Sequence, residues 1–148
     1  MSAKQTKTIL VGIIVFLSIL IVLQSCEKSD SGKLPITVAV SENEKKVFNY
    51  QDQTITVSAT NFRESRCPIN ADCAWQGFAS VKVIFTDDAN EQEIYLCTGG
   101  CEVMSIPLVK TVTLNGTEFK IKLDEISPYP NLSDTQKPTP KVKFTLSL

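Results

Sequence analysis

Histidine is absent from these 148 residues. Its absence removes the commonest general base, the histidine-centred nucleophile triads and the imidazole ligands that dominate catalytic zinc sites. The nucleophile elbow, the phosphate-binding glycine loop and the dinucleotide fingerprint are also missing, and Gly99-Gly100 alone is too short a pattern to cradle a phosphate. No stretch beyond residue 33 repeats apolar residues at helical spacing for long enough to form a helix. An excess of positive charge is lacking too. The formal net charge is −1, and a mildly acidic chain has little grip on nucleic acid. Together these absences leave no catalytic set and call for no cofactor or metal, so a non-enzymatic protein is expected.

The chain begins with a basic pair, Lys4 and Lys7, followed by an apolar run over residues 9–23 broken only by Gly12 and Ser18. Fifteen residues suit the apolar core of an export signal. A membrane-spanning helix wants about 20. The run ends at Leu23-Gln24-Ser25-Cys26, which resembles a bacterial lipobox, with Gln24 standing where a small or apolar residue is usual. The resemblance implies cleavage before Cys26 and acylation of its thiol. The expected organisation is therefore a signal peptide over 1–25, a lipidated cysteine and flexible tether over 26–33, and one domain over 34–148. The competing reading is an uncleaved signal anchor, which also leaves the domain outside the cytoplasm. Loss of Lys4 and Lys7 leaves 13 basic against 16 acidic residues, a mature charge of −3. The slightly positive mean hydropathy belongs to the leader and does not indicate an embedded protein. Acyl chains contribute about 0.8 kcal/mol per buried methylene, so recovery with membranes is expected, with the outer membrane of the cell envelope as the address. Glu27-Lys28-Ser29-Asp30 is loosely similar to the charged stretch that directs Bacteroidota lipoproteins to the cell surface.

From residue 34 the apolar residues recur with period two. Ile36, Val38 and Val40 alternate with Thr37 and Ala39; Ile55, Val57 and Ala59 alternate with Thr54, Thr56 and Ser58. Val81, Val83 and Phe85 form another strand, turned by Asp87-Asp88-Ala89-Asn90 into a partner over 93–96. Asn115-Gly116 is the strongest hairpin signal and joins strands over 109–114 and 118–123. Val142, Phe144 and Leu146 close the chain. Before them, Pro128, Pro130, Pro138 and Pro140 forbid regular pairing. About eight short strands predict an all-β, antiparallel β-sandwich or Greek-key barrel. The acidic cluster from Asp87 to Glu93 reads as a solvated hairpin tip, its spacing matching no calcium loop. Asp124 and Glu125, adjacent at a strand end, would face opposite ways and make a poor acid/base pair.

Once Cys26 is assigned to lipid, Cys67, Cys73, Cys97 and Cys101 remain. Four cysteines allow three connectivities. Spacing favours Cys67 with Cys73 and Cys97 with Cys101, and an oxidising compartment favours bridges over a four-thiolate zinc site. A third possibility takes Cys97 and Cys101 as a redox pair, although three intervening residues on a strand background do not make the low-pKa thiol that a Cys-x-x-Cys helix start provides.

Glu64-Ser65-Arg66-Cys67-Pro68, Cys73-Ala74-Trp75-Gln76-Gly77 and Ser127-Pro128-Tyr129-Pro130 resemble segments of small secreted and lipid-anchored bacterial β-domain proteins. The resemblance covers roughly residues 54 to 130. Gln76 departs from the small residue expected there, and the Cys97/Cys101 pair is outside the shared pattern. The resemblance implies a β domain with a Cys67–Cys73 bridge and no particular activity. Within it, Pro68 stiffens the bridged loop. Trp75 is expected to pack in the core, or its ring to lie on the bridge or the sheet. Arg66 is expected to clamp the loop by pairing with Glu64 or a buried carboxylate, the alternative being an outward guanidinium for a ligand anion.

Three functions follow as expectations. The first is a non-catalytic envelope module binding a protein, glycan or small molecule through its loops. The second is a protease inhibitor presenting residues 68–72 on a preorganised loop. The third is thiol redox chemistry at Cys97 and Cys101.

Overall fold

The computed structural model describes residues 33–148, so the leader, Cys26 and the tether up to residue 32 lie outside the described residues. Eight strands form two four-stranded antiparallel sheets. β1 (Ile36–Ser41), β6 (Val109–Leu114), β7 (Thr117–Ser127) and β8 (Lys141–Ser147) make one, in the order β1-β8-β7-β6. β2 (Lys45–Tyr50), β3 (Gln53–Glu64), β4 (Phe78–Thr86) and β5 (Glu91–Gly99) make the other, in sequence order. The protein is a β-sandwich, and of the two architectures expected the barrel is excluded.

Alternation along each strand puts every second side chain between the sheets. Val38, Val40, Val57, Val83, Leu96 and Ile121 meet there with Phe85, Phe119 and Phe144. Two edge-on aromatic pairs join the layers: Phe85 with Phe144 at 5.7 Å between centroids, and Tyr50 with Phe119 at 5.1 Å. Each pair adds about 0.5–1.5 kcal/mol beyond its area burial.

β2 is the strand that sequence pattern did not identify. Only Phe48 and Tyr50 point inward, while Val47 on the outer side is 59% exposed and breaks the alternation of apolar with polar.

Two bulges change which residues face inward near the same end of the sandwich. In β3 an extra residue lies between Thr60 and Arg63, with Asn61 at φ 54°, a conformation that asparagine tolerates better than most side chains. The inward set shifts from Ile55, Val57 and Ala59 to Phe62, which leaves Arg63 exposed. In β7 the extra residue is Asp124, and the inward set passes from Phe119, Ile121 and Leu123 to Ile126. Asp124 and Glu125 are consequently both exposed, rather than on opposite faces.

Strand register assigns every turn to one of two ends. The Tyr50–Gln53, Thr86–Glu91 and Leu114–Thr117 reversals lie at one end, where Ile36 pairs with Leu146 and the chain enters the domain. Glu64, Phe78, Gly99, Ser127 and Lys141 lie at the other, and carry the loops 65–77, 100–108 and 128–140. The twelve residues of β3 separate the ends by roughly 35 Å.

At the entry end Asp87 is buried, contrary to the solvated tip expected of its cluster. Its carboxylate accepts N–H groups from Ala89 at 2.9 Å and Asn90 at 2.6 Å in its own hairpin, and from Asn115 at 2.7 Å in the hairpin of the other sheet. These bonds hold the carboxyl below the usual carboxylate range, the Asn115 N–H contributing most. Asp87→Ala is expected to cost about 2 kcal/mol in urea unfolding, since hydrogen bonds to charged groups contribute more than neutral ones. Because the folded-state pKa is depressed, the carboxylate's stabilisation is complete above the unfolded value of about 4 and is lost as pH falls through the folded value. Wild type should therefore lose stability below pH 4 more steeply than Asp87→Ala.

Candidate functional site

Three loops crowd the end opposite the chain entry, and backbone bonds continue the sheet into them. Ser65 N–H donates to Phe78 O at 2.9 Å, the Phe78 N–H donates to Ser65 Oγ, and Cys67 N–H donates to Gln76 O at 2.9 Å. Cys67 and Cys73 are bridged, as are Cys97 and Cys101. The pairing favoured by spacing is the observed one. With the four sulfurs divided between two bridges, neither a four-thiolate zinc site nor a free thiol pair remains, and Cys97 and Cys101 are each only 4% exposed.

Gly77 links the two bridged loops. Its φ is +69°, and a Cβ there would lie 1.9 Å from Ser65 O. Its carbonyl accepts Gly100 N–H at 2.9 Å, and Gly99, at φ +90°, is pressed against the same carbonyl. The Cys-x-Trp-x-Gly spacing thus places the one residue without a side chain where the two loops touch.

Arg66 makes the pairing with Glu64 expected of it. Although charged, it is only 8% exposed. Its Nε donates to Glu64 Oε1 at 2.8 Å, its Nη2 pairs with Glu64 Oε2, and its own backbone N–H also donates to Glu64 Oε1 at 2.9 Å. Nη2 reaches further, donating to Pro128 O at 3.2 Å, and the guanidinium lies 4.4 Å from the centre of the Tyr129 ring. One side chain therefore joins the bridged loop to the proline-rich segment 128–140. Ile69 N–H to Pro130 O at 3.1 Å and Leu132 N–H to Asn70 Oδ1 at 2.9 Å complete that junction.

Trp75 departs from the core packing expected of it. It is 57% exposed, and its ring meets that of Phe78, the first residue of β4, edge to face at 6.5 Å between centroids, against the end of a sheet and outside the core. Cys67 N–H bonding to Gln76 O and the buried approach of Gly77 turn residues 74–76 outward, away from both sheets. Pro68 is half-buried at the start of a turn closed by Ala71 N–H to Pro68 O at 3.1 Å.

The same end exposes Ile69, Tyr129 and Leu132 together with Trp75. Beside them opens a groove of about 420 Å³ between the end of β3 and residues 126–140. Tyr129 was legible only within Ser127-Pro128-Tyr129-Pro130, a separate segment of the same resemblance; the occurrence of both segments in one resemblance is the signal that could have joined it to Arg66.

Comparison with known proteins found no matching family model, no matching curated protein and no matching solved structure.

Proposed function

We propose that this chain is a lipid-tethered, non-catalytic binding module of the cell envelope that presents its bridged loops away from the membrane. The observation that carries this reading is the gathering of Ile69, Trp75, Tyr129 and Leu132 at the end of the sandwich opposite the chain entry. A tether leading back from Lys33 to acylated Cys26 would leave those loops roughly 35 Å farther from the bilayer than the hairpin tips. Two bridges, an arginine clamp and a crowded glycine hold the loops in one arrangement, which lowers the ordering cost of binding. The inhibitor reading finds less support. The turn at Pro68–Ala71 and the Ile69–Pro130 bond keep residues 68–72 from lying as an extended strand in a protease cleft. The Cys97–Cys101 bridge is closed and covered, which favours a structural role over redox exchange.

The tether is tested by intact mass of the membrane-extracted protein, with and without reduction and alkylation. The expected product begins at a diacylated or triacylated Cys26, with four cysteines alkylated only after reduction, and Cys26→Ala should abolish both the acyl mass and the cleavage before residue 26. An unmodified full-length chain, or thiols alkylated before reduction, would overturn the tethered form.

A further inference from the structure

The groove beside Tyr129 carries a more specific assignment, which rests on the loop-end reading above. Its volume of about 420 Å³ lies within the range of small-molecule sites and admits about one or two sugar rings. Tyr129 forms part of its wall. The Arg66 guanidinium lies over that ring at 4.4 Å from its centre, while 43% of the residue stays open to solvent. A braced, partly open aromatic ring is a platform for a ligand with an apolar C–H face. Pro128, Pro130, Pro138 and Pro140 make the rest of the wall stiff, each with its φ locked.

Around this platform stand hydrogen-bonding side chains with no work elsewhere. Among the described residues, the side chains of Glu42, Arg63, Asp134, Gln136 and Lys137 enter no hydrogen bond or ion pair within the chain. Their charges cancel: Glu42 and Asp134 stand against Arg63 and Lys137, and Glu64 is neutralised by Arg66. A groove with no net charge does not select an ionic ligand. It offers donors and acceptors in both senses beside an apolar ring, and a polyhydroxylated molecule with C–H faces matches both features. We infer that this groove binds a neutral saccharide, stacked on Tyr129 and hydrogen-bonded by Asp134 and Gln136.

The test applies the detergent-extracted full chain to an array of neutral oligosaccharides (glucans, mannans, galactans and N-acetylglucosamine oligomers) alongside uronate-containing and sialylated ones. Retention on one or more neutral glycans is expected, with about 10-fold loss for Tyr129→Ala and less than about 3-fold for Tyr129→Phe. Because Tyr129→Ala also uncovers Arg66, Asp134→Ala and Gln136→Ala serve as independent variants. Each should lower retention about 5-fold with the melting temperature unchanged. Retention on acidic glycans alone, retention indifferent to all three alanine variants, or no retention on any glycan would overturn the assignment. A photo-crosslinker at Trp75, read in living cells, separates this failure from the failure of the loop-end reading. Adducts at Trp75 without glycan retention would remove the saccharide and leave the loop end as a binding face, whereas neither signal would remove both.

Discussion

Gly77→Ala is expected to destabilise the domain by more than about 3 kcal/mol, lowering the melting temperature by roughly 10 °C or more. The added methyl would lie 1.9 Å from Ser65 O, and the backbone is already at φ +69°. Neither partner can give way cheaply. Ser65 is held to Phe78 through its own N–H and its hydroxyl, and the Gly77 carbonyl anchors Gly100. Movement would therefore spread to both bridged loops. Gly116→Ala is the matched control, with φ +79° and nothing within 4 Å of the new carbon. It should cost only the left-handed conformation, about 1–2 kcal/mol. Thermal melts of the two variants under oxidising conditions make the comparison. Equal losses would show that conformation alone, and not the close approach of Ser65 O, makes residue 77 a glycine.

Arg66→Met should cost about 3 kcal/mol in urea unfolding, because it leaves Glu64 without its partner and removes the bond to Pro128 O. Glu64 is partly exposed, with 34% of its side chain accessible, so water recovers some of what is lost and the upper end of the range for buried pairs is not reached. Arg66→Lys should rescue little, since an ammonium cannot serve Glu64 in fork geometry, reach Pro128 O and lie beside Tyr129 together. Glu64→Gln alone should be milder, and a double-mutant cycle between the two positions should show coupling of about 1–2 kcal/mol. An Arg66→Met variant that melts like wild type would mean that the guanidinium serves a ligand and not the loop. The Cys67–Cys73 bridge is the smaller contributor, since closing about seven residues stabilises by roughly 2.4 kcal/mol in the chain-entropy treatment.

Seven of the eight strands were legible because apolar residues recur at every second position, as in Ile55 to Ala59 or Phe119 to Leu123. β2 was hidden by exposed Val47. The closed pairing of the cysteines and the Arg66–Glu64 clamp could be anticipated because their partners are local, two to six residues apart. What could not be read depends on contacts distant in sequence. Asp87 meets Asn115 across 28 residues, Arg66 meets Pro128 across 62, and Gln92 clasps the backbone of Thr113 between the edge strands β5 and β6. Trp75 failed for a different reason. Hydrophobicity predicts burial only where the backbone turns a residue inward, and at residues 74–76 the loop turns outward.

Two ends of one sandwich thus differ in kind: the entry end is closed by tight turns pinned on Asp87, and the far end gathers bridged loops, exposed apolar residues and a groove. The most direct test of the far end as the binding face is a photo-crosslinker placed singly in living cells at Ile69, Trp75 or Leu132, and at Asp88 or Glu118 on the entry end. Adducts of polypeptide or glycan are expected from the first three positions and not from the last two. Adducts from both ends alike, or from Asp88 and Glu118 alone, would contradict a binding face built on the bridged loops.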